Sequence, residues 1–483
     1  MILGLDIGTT SVKAGLIGAA GEVGPAAMFS YETQRPRAGW AEQSPQDWLA
    51  LALRAMQQVC AGQDADGIAG LGLTSQVNTH VFVDAEGRPL LPALTWQDGR
   101  AQAEAAELDA RVTPAQKLAW WGAPMPIDAS HALPRMLWLQ RHHPDLWERT
   151  RWIMLPKDYV LFHLTGEAAS DPLSNVGLVD TGQNYIADLF ALVPGALSRM
   201  APLVPMTTIA GHMRPDTPLP GRPVACGTMD AWAGLVGCGG AREGARVYLS
   251  GTSEILGISS RHVTPTPGVI VFPEQSGLRL HAAPTQSGGE AARWAAGLLG
   301  LSVQALSDLV QDTSRSAATP LFLPQLEGER APLWDASLRA AFLGLSRQTA
   351  PADIARAVFE GVALSARHAF GPLQTSAAVS DGVIRCGGGG FQSAPWTQIR
   401  ADVLGCVLHP LAGTEPGVLG AAQIAAVAFG HHGGLADAFQ ATARFADPVL
   451  PDPTKAGLYD DLFALYTDAI VQTDTLTKRL ARL

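Results

Sequence analysis

The sequence predicts an α/β protein of two domains, and three observations carry the prediction. Apolar, strand-like runs alternate with amphipathic helical stretches from end to end. A glycine–hydroxyl hairpin occurs twice, in "LDIGTTSVKAGLIG" near the start and in "VYLSGTSEILGIS" in the second half. Its glycines, Gly8 and Gly251, lie 243 positions apart in a chain of 483 residues, a separation that points to duplicated halves. That length also exceeds one ordinary core. The glycine-rich segment 237–244 is the candidate boundary and divides the chain into residues 1–240 and 241–483.

In the first half, Ile2, Leu3 and Leu5 make an apolar strand interrupted by Asp6. The apolar pattern resumes at Val12, Ala14 and Leu16, beyond the Gly8-Thr9-Thr10 turn. A buried, unpaired carboxylate costs roughly several kcal/mol. Asp6 therefore calls for a basic partner, a hydrogen-bonding turn or a metal ion. Taken alone, Asp before a Gly-Thr turn is also ordinary hairpin chemistry. The distant copy favours a ligand. Two such hairpins, one per half, can face each other across a cleft and offer N–H and hydroxyl groups to phosphate oxygens. Asp6 then lies near a phosphate-bound cation.

The next elements follow in order. Ser44 caps and Pro45 opens a helix over "SPQDWLALALRAMQQVCA", with Leu49, Ala52, Leu53, Met56 and Val59 along one face. "GIAGLGLTSQ" (67–76) reads as a buried strand, and "HVFVDAEGRPLLPALTW" as two strands around a Glu86-Gly87 turn. Helical patterns follow near 100–110 and 131–142. "WIMLPKDYVLFHLTGE" reads as a short strand entering a helix that stops at Gly166. In "GRPVACGTMDAWAGLVGCGG" (221–240), Val224 and Ala225 end a strand, 227–230 form a loop, and a helix starts at Ala231. Asp230 thus stands where a strand hands over to a helix, the usual position for functional groups in open α/β sheets.

The second half repeats the style. After the Gly251-Thr252-Ser253 hairpin, residues 349–370 predict a helix capped by Thr349, with Ile354, Val358, Val362 and Leu364 largely on one side. "DGVIRCGGGGFQSAPWTQIRADVLG" reads as strand, glycine loop and helix. Its glycines 387–390 let a ligand approach the backbone at a helix N-terminus, although a glycine loop also serves as a plain surface turn. "GTEPGVLGAAQIAAVAFG" then predicts a small-residue helix packed closely against a neighbour.

Composition excludes several classes. A net charge of −10 with no Lys/Arg run argues against a nucleic-acid partner. The five cysteines form no C-x-x-C pair, so reduced thiols and a cytoplasmic location are expected. The doublets His142-His143 and His431-His432 adjoin Pro or Gly and read as helix ends and loops. No targeting segment is read, because no basic region precedes the first apolar run and Asp6 breaks it. The longest apolar stretch, 417–430, is too short and too rich in Ala and Gly to span a bilayer, so no membrane partner is expected.

The order of the motifs resembles one family. Asp6-Ile7-Gly8-Thr9-Thr10, "WAEQSP" (40–45), "TWQDGR" (95–100), "LPKDY" (155–159), "LSGTS" (249–253), "LEGERAP" (326–332), "FEGVA" (359–363), "CGGGG" (386–390) and "GVLGAA" (417–422) occur in the sequence seen in the FGGY carbohydrate kinases. The resemblance spans nearly the whole chain, and "WAEQSP" and "TWQDGR" are most similar to members that phosphorylate D-xylulose. It implies two actin-like (ribonuclease-H-like) ATPase domains facing a central cleft, with sugar bound chiefly by residues 1–240 and ATP chiefly by 241–483. It implies ATP and Mg2+ as cofactors and a small sugar or polyol as partner, with a homodimer among the assemblies left open.

Roles carry across where positions match. Asp230 takes the place of the general base that removes the proton from the sugar hydroxyl, and Asp6 that of the carboxylate near magnesium. Gly8, Thr9, Thr10, Lys13, Gly251 and Thr252 match phosphate-contacting positions, and Gly388 and Gly389 the adenosine loop. Gln76, Val77, Asn78, Trp96 and Asp230 fall in the sugar region. The pattern departs from the xylulose-phosphorylating members twice. Gln76-Val77-Asn78 stands where Met-His is usual after the glutamine, and Asp230-Ala231 where Asp-Asn is usual. Both departures touch the sugar and leave the phosphotransfer parts intact. D-xylulose, giving D-xylulose 5-phosphate, is therefore the first expectation, with ribulose, erythritol or glycerol as alternatives. A non-catalytic ATP-binding sugar sensor is the alternative of another class. Asp98 and Arg100 read equally as a surface salt bridge, Trp96 as packing, and Lys157-Asp158 as a fold-stabilising pair. Glu360 and Glu415 are left outside the site.

Overall fold

The computed structural model describes residues 1–122, 125–311 and 313–480. The chain forms two compact units, Met1–Gly237 with Gly413–Ala443, and Cys238–Ala412 with Arg444–Leu483. The first crossing falls at the edge of the glycine-rich segment 237–244. The segment 413–443 returns to the N-terminal unit, so the second unit is not the continuous stretch 241–483 that the sequence suggests.

Each unit is built on one sheet, and the two sheets share a plan. In the N-terminal unit, strands Val23–Ser30, Ser11–Ile17 and Ile2–Ile7 form an antiparallel meander. Leu71–Ser75 then pairs parallel to the first strand, and Pro223–Ala225 parallel to Leu71–Ser75. In the C-terminal unit, Arg279–Thr285, Glu254–Ser260 and Arg246–Ser250 form the meander. Ile384–Gly387 pairs parallel to Arg246–Ser250, and Leu408–Pro410 parallel to Ile384–Gly387. The duplication predicted from two short hairpins therefore extends to five strands of each sheet.

Packing follows the apolar patterns. The first helix, Pro45–Cys60, starts under Ser44, whose hydroxyl accepts from Asp47 N at 3.2 Å. It buries Trp48, Ala52, Ala55, Met56 and Val59 against Leu3, Leu5, Ile7 and Val12 of the sheet, with Leu49 and Leu53 on its flanks. The helix Pro416–Ala428 packs closely on the same sheet. A Cβ at Gly4 would lie 2.2 Å from Val418 O, and one at Gly72 2.0 Å from Ala421 O. The same helix meets Asp230–Gly237, where a Cβ at Gly420 would lie 1.7 Å from Ala233 O. The small residues of "GVLGAA" are thus the condition for two backbones to touch.

Two local expectations change. The helix expected over 349–370 runs from Pro351 to Ala377. Its N-cap is Ala350, which has no capping oxygen; the Asp353 carboxylate in the first turn accepts from Ala350 N at 3.0 Å, while the Thr349 hydroxyl donates to Ala318 O. The hairpin expected over 80–96 is split. Val81–Val83 pairs with Trp152–Met154, Ala93–Leu94 pairs with Glu42–Gln43, and the return past Gly87 is held only by two isolated antiparallel bridges, Val83 with Pro89 and His80 with Leu94. Among the described residues no helix is long and apolar enough to cross a membrane.

Candidate active site

In the N-terminal unit the hairpin register decides which groups meet. Asp6, the penultimate residue of its strand, stands directly opposite Lys13 on the next. Lys13 Nζ reaches Glu415 Oε2 at 2.8 Å, at the residue that precedes the Pro416 helix. Asp6 is almost wholly buried, and its Oδ1 has no hydrogen-bond partner among the described residues. Burial pushes its pKa up to about 7. Lys13 opposes the rise, while Asp230 and Glu415 reinforce it. Three carboxylates and one lysine thus share a local field. An orphaned buried carboxylate oxygen in such a field fits a divalent cation. No group of three or more His, Cys, Asp or Glu among the described residues builds a complete cage. A cation here would take its remaining ligands from water and substrate oxygens, the ordinary habit of magnesium.

The turn Gly8–Thr10 is closed by Gly8 N donating to Ser11 O at 3.0 Å. Thr9 is gripped from two sides. Trp96 Nε1 donates to its hydroxyl at 3.1 Å, and Gln43 Nε2 to its carbonyl at 2.8 Å. Gln43 in turn accepts from Gln76 Nε2 at 2.7 Å, and Gln76 Oε1 accepts from Thr79 Oγ1 at 3.2 Å. Gln76 is buried with both ends of its carboxamide occupied, so it orients the turn rather than offering a free group. Trp96 acts in the same network. Thr10 stays exposed at the tip, and Val77 is half-buried.

Asn78 takes a left-handed backbone at φ 50°, a conformation that Asn tolerates better than most residues. Its carbonyl accepts from Arg135 Nη1 at 2.7 Å, and its Nδ2 donates to Ser130 Oγ at 3.1 Å. Asp230 opens the helix Asp230–Gly237, and its Oδ1 accepts from Ala231 N at 2.7 Å. Its other oxygen has no protein partner among the described residues, and the side chain is partly exposed. Burial raises its pKa to about 6, against the lowering pull of Ala231 N and Lys13.

Beneath Asp230 lies a buried polar cluster. Lys157 Nζ pairs with Asp158 at 2.7 Å and with Asp171 at 2.9 Å. Asp171 also accepts from Thr228 Oγ1 at 2.8 Å, two residues before Asp230. The pair read as stabilising is therefore part of the support for the Asp230 junction. Asp98 and Arg100 prove buried, not superficial: the pair closes at 2.8 Å, Arg100 also reaches Glu42 at 2.6 Å, and its guanidinium lies 3.6 Å from the Trp40 ring centre.

In the C-terminal unit, Gly251 N donates to Ser253 O at 2.9 Å and closes the second turn. The glycine loop folds onto it. A Cβ at Gly388 would lie 2.5 Å from Ser250 O, and Gly388 holds φ at 95°. Gly389 faces open space. Arg400 ties the two segments, donating to Gly390 O at 2.6 Å, Ser250 Oγ at 2.8 Å and Glu254 Oε1 at 2.7 Å. Gly251, Thr252, Gly388 and Gly389 are thus brought together within this unit.

Two residues, Tyr31 and Ser130, escaped the sequence reading, and a third, Glu415, was left outside the site although it pairs with Lys13. Tyr31 donates its hydroxyl to Gly8 O, and its own pKa is raised by burial and by Asp6 and Asp230. Ser130 holds Asn78, and Glu415 holds Lys13. Tyr31 follows from the third strand of the meander, a signal available once that pairing is assumed. Glu415 lies 402 positions from Lys13, and no local pattern links them.

Comparison with known proteins adds a separate line. Residues 1–237 match the FGGY family of carbohydrate kinases, N-terminal domain, and residues 247–429 match its C-terminal domain. A xylulose kinase of Escherichia coli K12 is 33% identical over 441 residues, covering 89% of this chain and 90% of that protein. The crystal structure of a xylulose kinase from Rhodospirillum rubrum superposes with a TM-score of 0.85 at 27% identity, covering 98% of this chain and 99% of that one. A gluconate kinase from Lactobacillus acidophilus shares the fold with a TM-score of 0.86 at 23% identity, over 98% of each chain.

Proposed function

Because this chain belongs to the FGGY family of carbohydrate kinases, we propose that it transfers the terminal phosphoryl group of ATP to D-xylulose and yields D-xylulose 5-phosphate. That it is a sugar kinase with the two-domain actin-like α/β fold follows from the family. The substrate, the base and the cation are the proposed part.

One observation carries the mechanism. Asp230 offers an unpartnered, partly exposed carboxylate oxygen at a strand-to-helix junction, with a pKa raised to about 6. At neutral pH it is ionised, yet basic enough to take a proton from an attacking hydroxyl. Phosphoryl transfer needs positioning and charge neutralisation more than covalent help. Lys13 and the amides and hydroxyls of Gly8–Thr10 suit phosphate oxygens in the N-terminal unit, as do Gly251 and Thr252 in the C-terminal unit. Gly388 and Gly389 are assigned to the adenosine. Asp6 would hold magnesium, which when bound would supply neutralisation of phosphate charge. Asn78 and Trp96 border the sugar, and Gln76 holds that border in place.

A second substrate reading rests on Asn78 and Ala231. A short amide and a methyl replace two larger polar groups, so a different ketose or a polyol can fit. A sensor without catalysis is disfavoured by the presence of both Asp6 and Asp230. ADP release measured with D-xylulose, D-ribulose, L-ribulose, xylitol, erythritol, glycerol and gluconate, each with Mg-ATP, separates these readings. D-xylulose should give the highest kcat/KM. If it turns over no faster than buffer while another compound reacts, the xylulose assignment falls and the sugar kinase stands.

A further inference from the structure

Two arginines bond to the second hairpin and its flank among the described residues. Arg400 is wholly buried and neutralised by Glu254, equally buried, at 2.7 Å. Arg293 is different. Its Nη2 donates to Thr252 Oγ1 at 3.1 Å and to Glu290 Oε2 at 2.6 Å, and its Nε donates to the same Glu290 oxygen at 3.2 Å. Its Nη1 edge has no protein partner among the described residues. Half of the side chain, 48%, is exposed, and Glu290 is 57% exposed.

The backbone fixes this placement. Arg293 sits in the second turn of the helix Gly289–Leu298. Gly289 N donates to Gly251 O at 2.9 Å, and Glu290 N to Thr252 O at 3.0 Å. A Cβ at Gly289 would lie 2.5 Å from Gly251 O, so helix and hairpin are in direct backbone contact. The guanidinium is therefore delivered beside Thr252 by rigid elements.

Packing gives no reason for a cation here. A solvent-exposed ion pair such as Arg293–Glu290 contributes about 1 kcal/mol or less to stability. Phosphate is a better partner than one carboxylate, because it carries more charge and accepts the planar fork through two oxygens. We propose that Arg293 is a nucleotide-binding residue that exchanges Glu290 for a phosphate of ATP or ADP. The proposal rests on the assignment of the Gly251–Thr252 turn to nucleotide phosphates.

The test compares ADP with adenosine by titration calorimetry on the full-length protein. R293Q should weaken ADP about ten-fold, the worth of one charge-assisted hydrogen bond. It should leave adenosine within about two-fold. R293K, which keeps the charge and loses the fork, should fall between R293Q and the parent for ADP. Unchanged melting temperatures confirm that the variants fold. Equal losses for ADP and adenosine, or no loss for ADP, overturn the proposal while leaving the nucleotide assignment in place. Failure of the unsubstituted protein to bind either compound overturns both.

Discussion

Asp230 links activity and stability in one side chain. D230N keeps shape and removes the base, so kcat should fall by about 10² or more while sugar binding persists. Near-normal turnover would take Asp230 out of the mechanism. The raised pKa fixes the sign of two pH effects. The base works as a carboxylate, so kcat/KM should be half its plateau near pH 6, approach the plateau above it and decline below it. The folded state holds this proton more tightly than the unfolded one, with its usual value of 3.8. Stability attributable to Asp230 is therefore lost as pH rises from about 4 to 6. D230N should melt higher than the parent at pH 7.5, by an equivalent of about 1–3 kcal/mol, and the gain should vanish near pH 4. Asn78 carries a separate prediction. The Ser130 hydroxyl donates to Asp128 Oδ1 at 2.6 Å, so it accepts from Asn78, whose amide oxygen is left to receive a substrate hydroxyl. N78A should lower kcat/KM for the sugar about ten-fold and leave the KM for ATP unchanged. An equal effect on both substrates would remove Asn78 from the sugar site. The hairpin that sets Asp6 opposite Lys13 was legible from its apolar strands and tight turn, whereas Ser130 was not, because a loop rather than a period brings it to Asn78.

At the scale of elements, a run of four identical glycines conceals different tasks. Gly388 needs a left-handed backbone and has no room for a methyl group beside Ser250 O. Gly389 meets nothing within 4 Å. G388A should therefore lower stability by about 2–4 kcal/mol, visible as a large drop in melting temperature. G389A should melt like the parent and raise the KM for ATP several-fold if the loop backs the adenosine. A loss of stability in G389A equal to that in G388A would show that the loop is only a structural turn. The sequence disclosed the strand, loop and helix here, because the glycines interrupt the apolar pattern between them; the structure adds the cap, Ser393 Oγ accepting from Trp396 N at 3.3 Å. It could not divide the glycines, since their difference lies in contact with a hairpin more than a hundred residues earlier. The same limit explains Thr349. It is a good cap by type, but the helix starts one residue later, at the N-cap Ala350, and the Thr349 hydroxyl goes to Ala318 O.

For the whole molecule, the two hairpins were enough to reveal the duplicated plan, because a tight turn between antiparallel strands is a local signal repeated with little change. The composition of each unit was not legible. Chain order suggests two consecutive halves, yet residues 413–443 complete the first unit after the chain has built most of the second. The physical demand comes from the sheet. Gly4 and Gly72 leave its face open to a helix backbone, and Val418 and Ala421 fill that face from the Pro416 helix. The Asp230 helix relies on it too, since Gly237 and Gly420 place the two helices in backbone contact. A fragment of residues 1–237 lacks this helix and should expose a glycine-lined apolar sheet. It should bind a hydrophobic dye, aggregate, and show no cooperative melting. Joining residues 413–443 to it through a short flexible linker is feasible, because Gly237 already abuts Pro416, where a Cβ would lie 2.2 Å from Pro416 O. That joined fragment should be monodisperse and melt cooperatively, and its amides in strands Ile2–Ile7 and Leu71–Ser75 should resist hydrogen exchange. Cooperative melting of 1–237 alone, with the same protected strands, would show that the returning helix is an accessory to the unit and not part of its core.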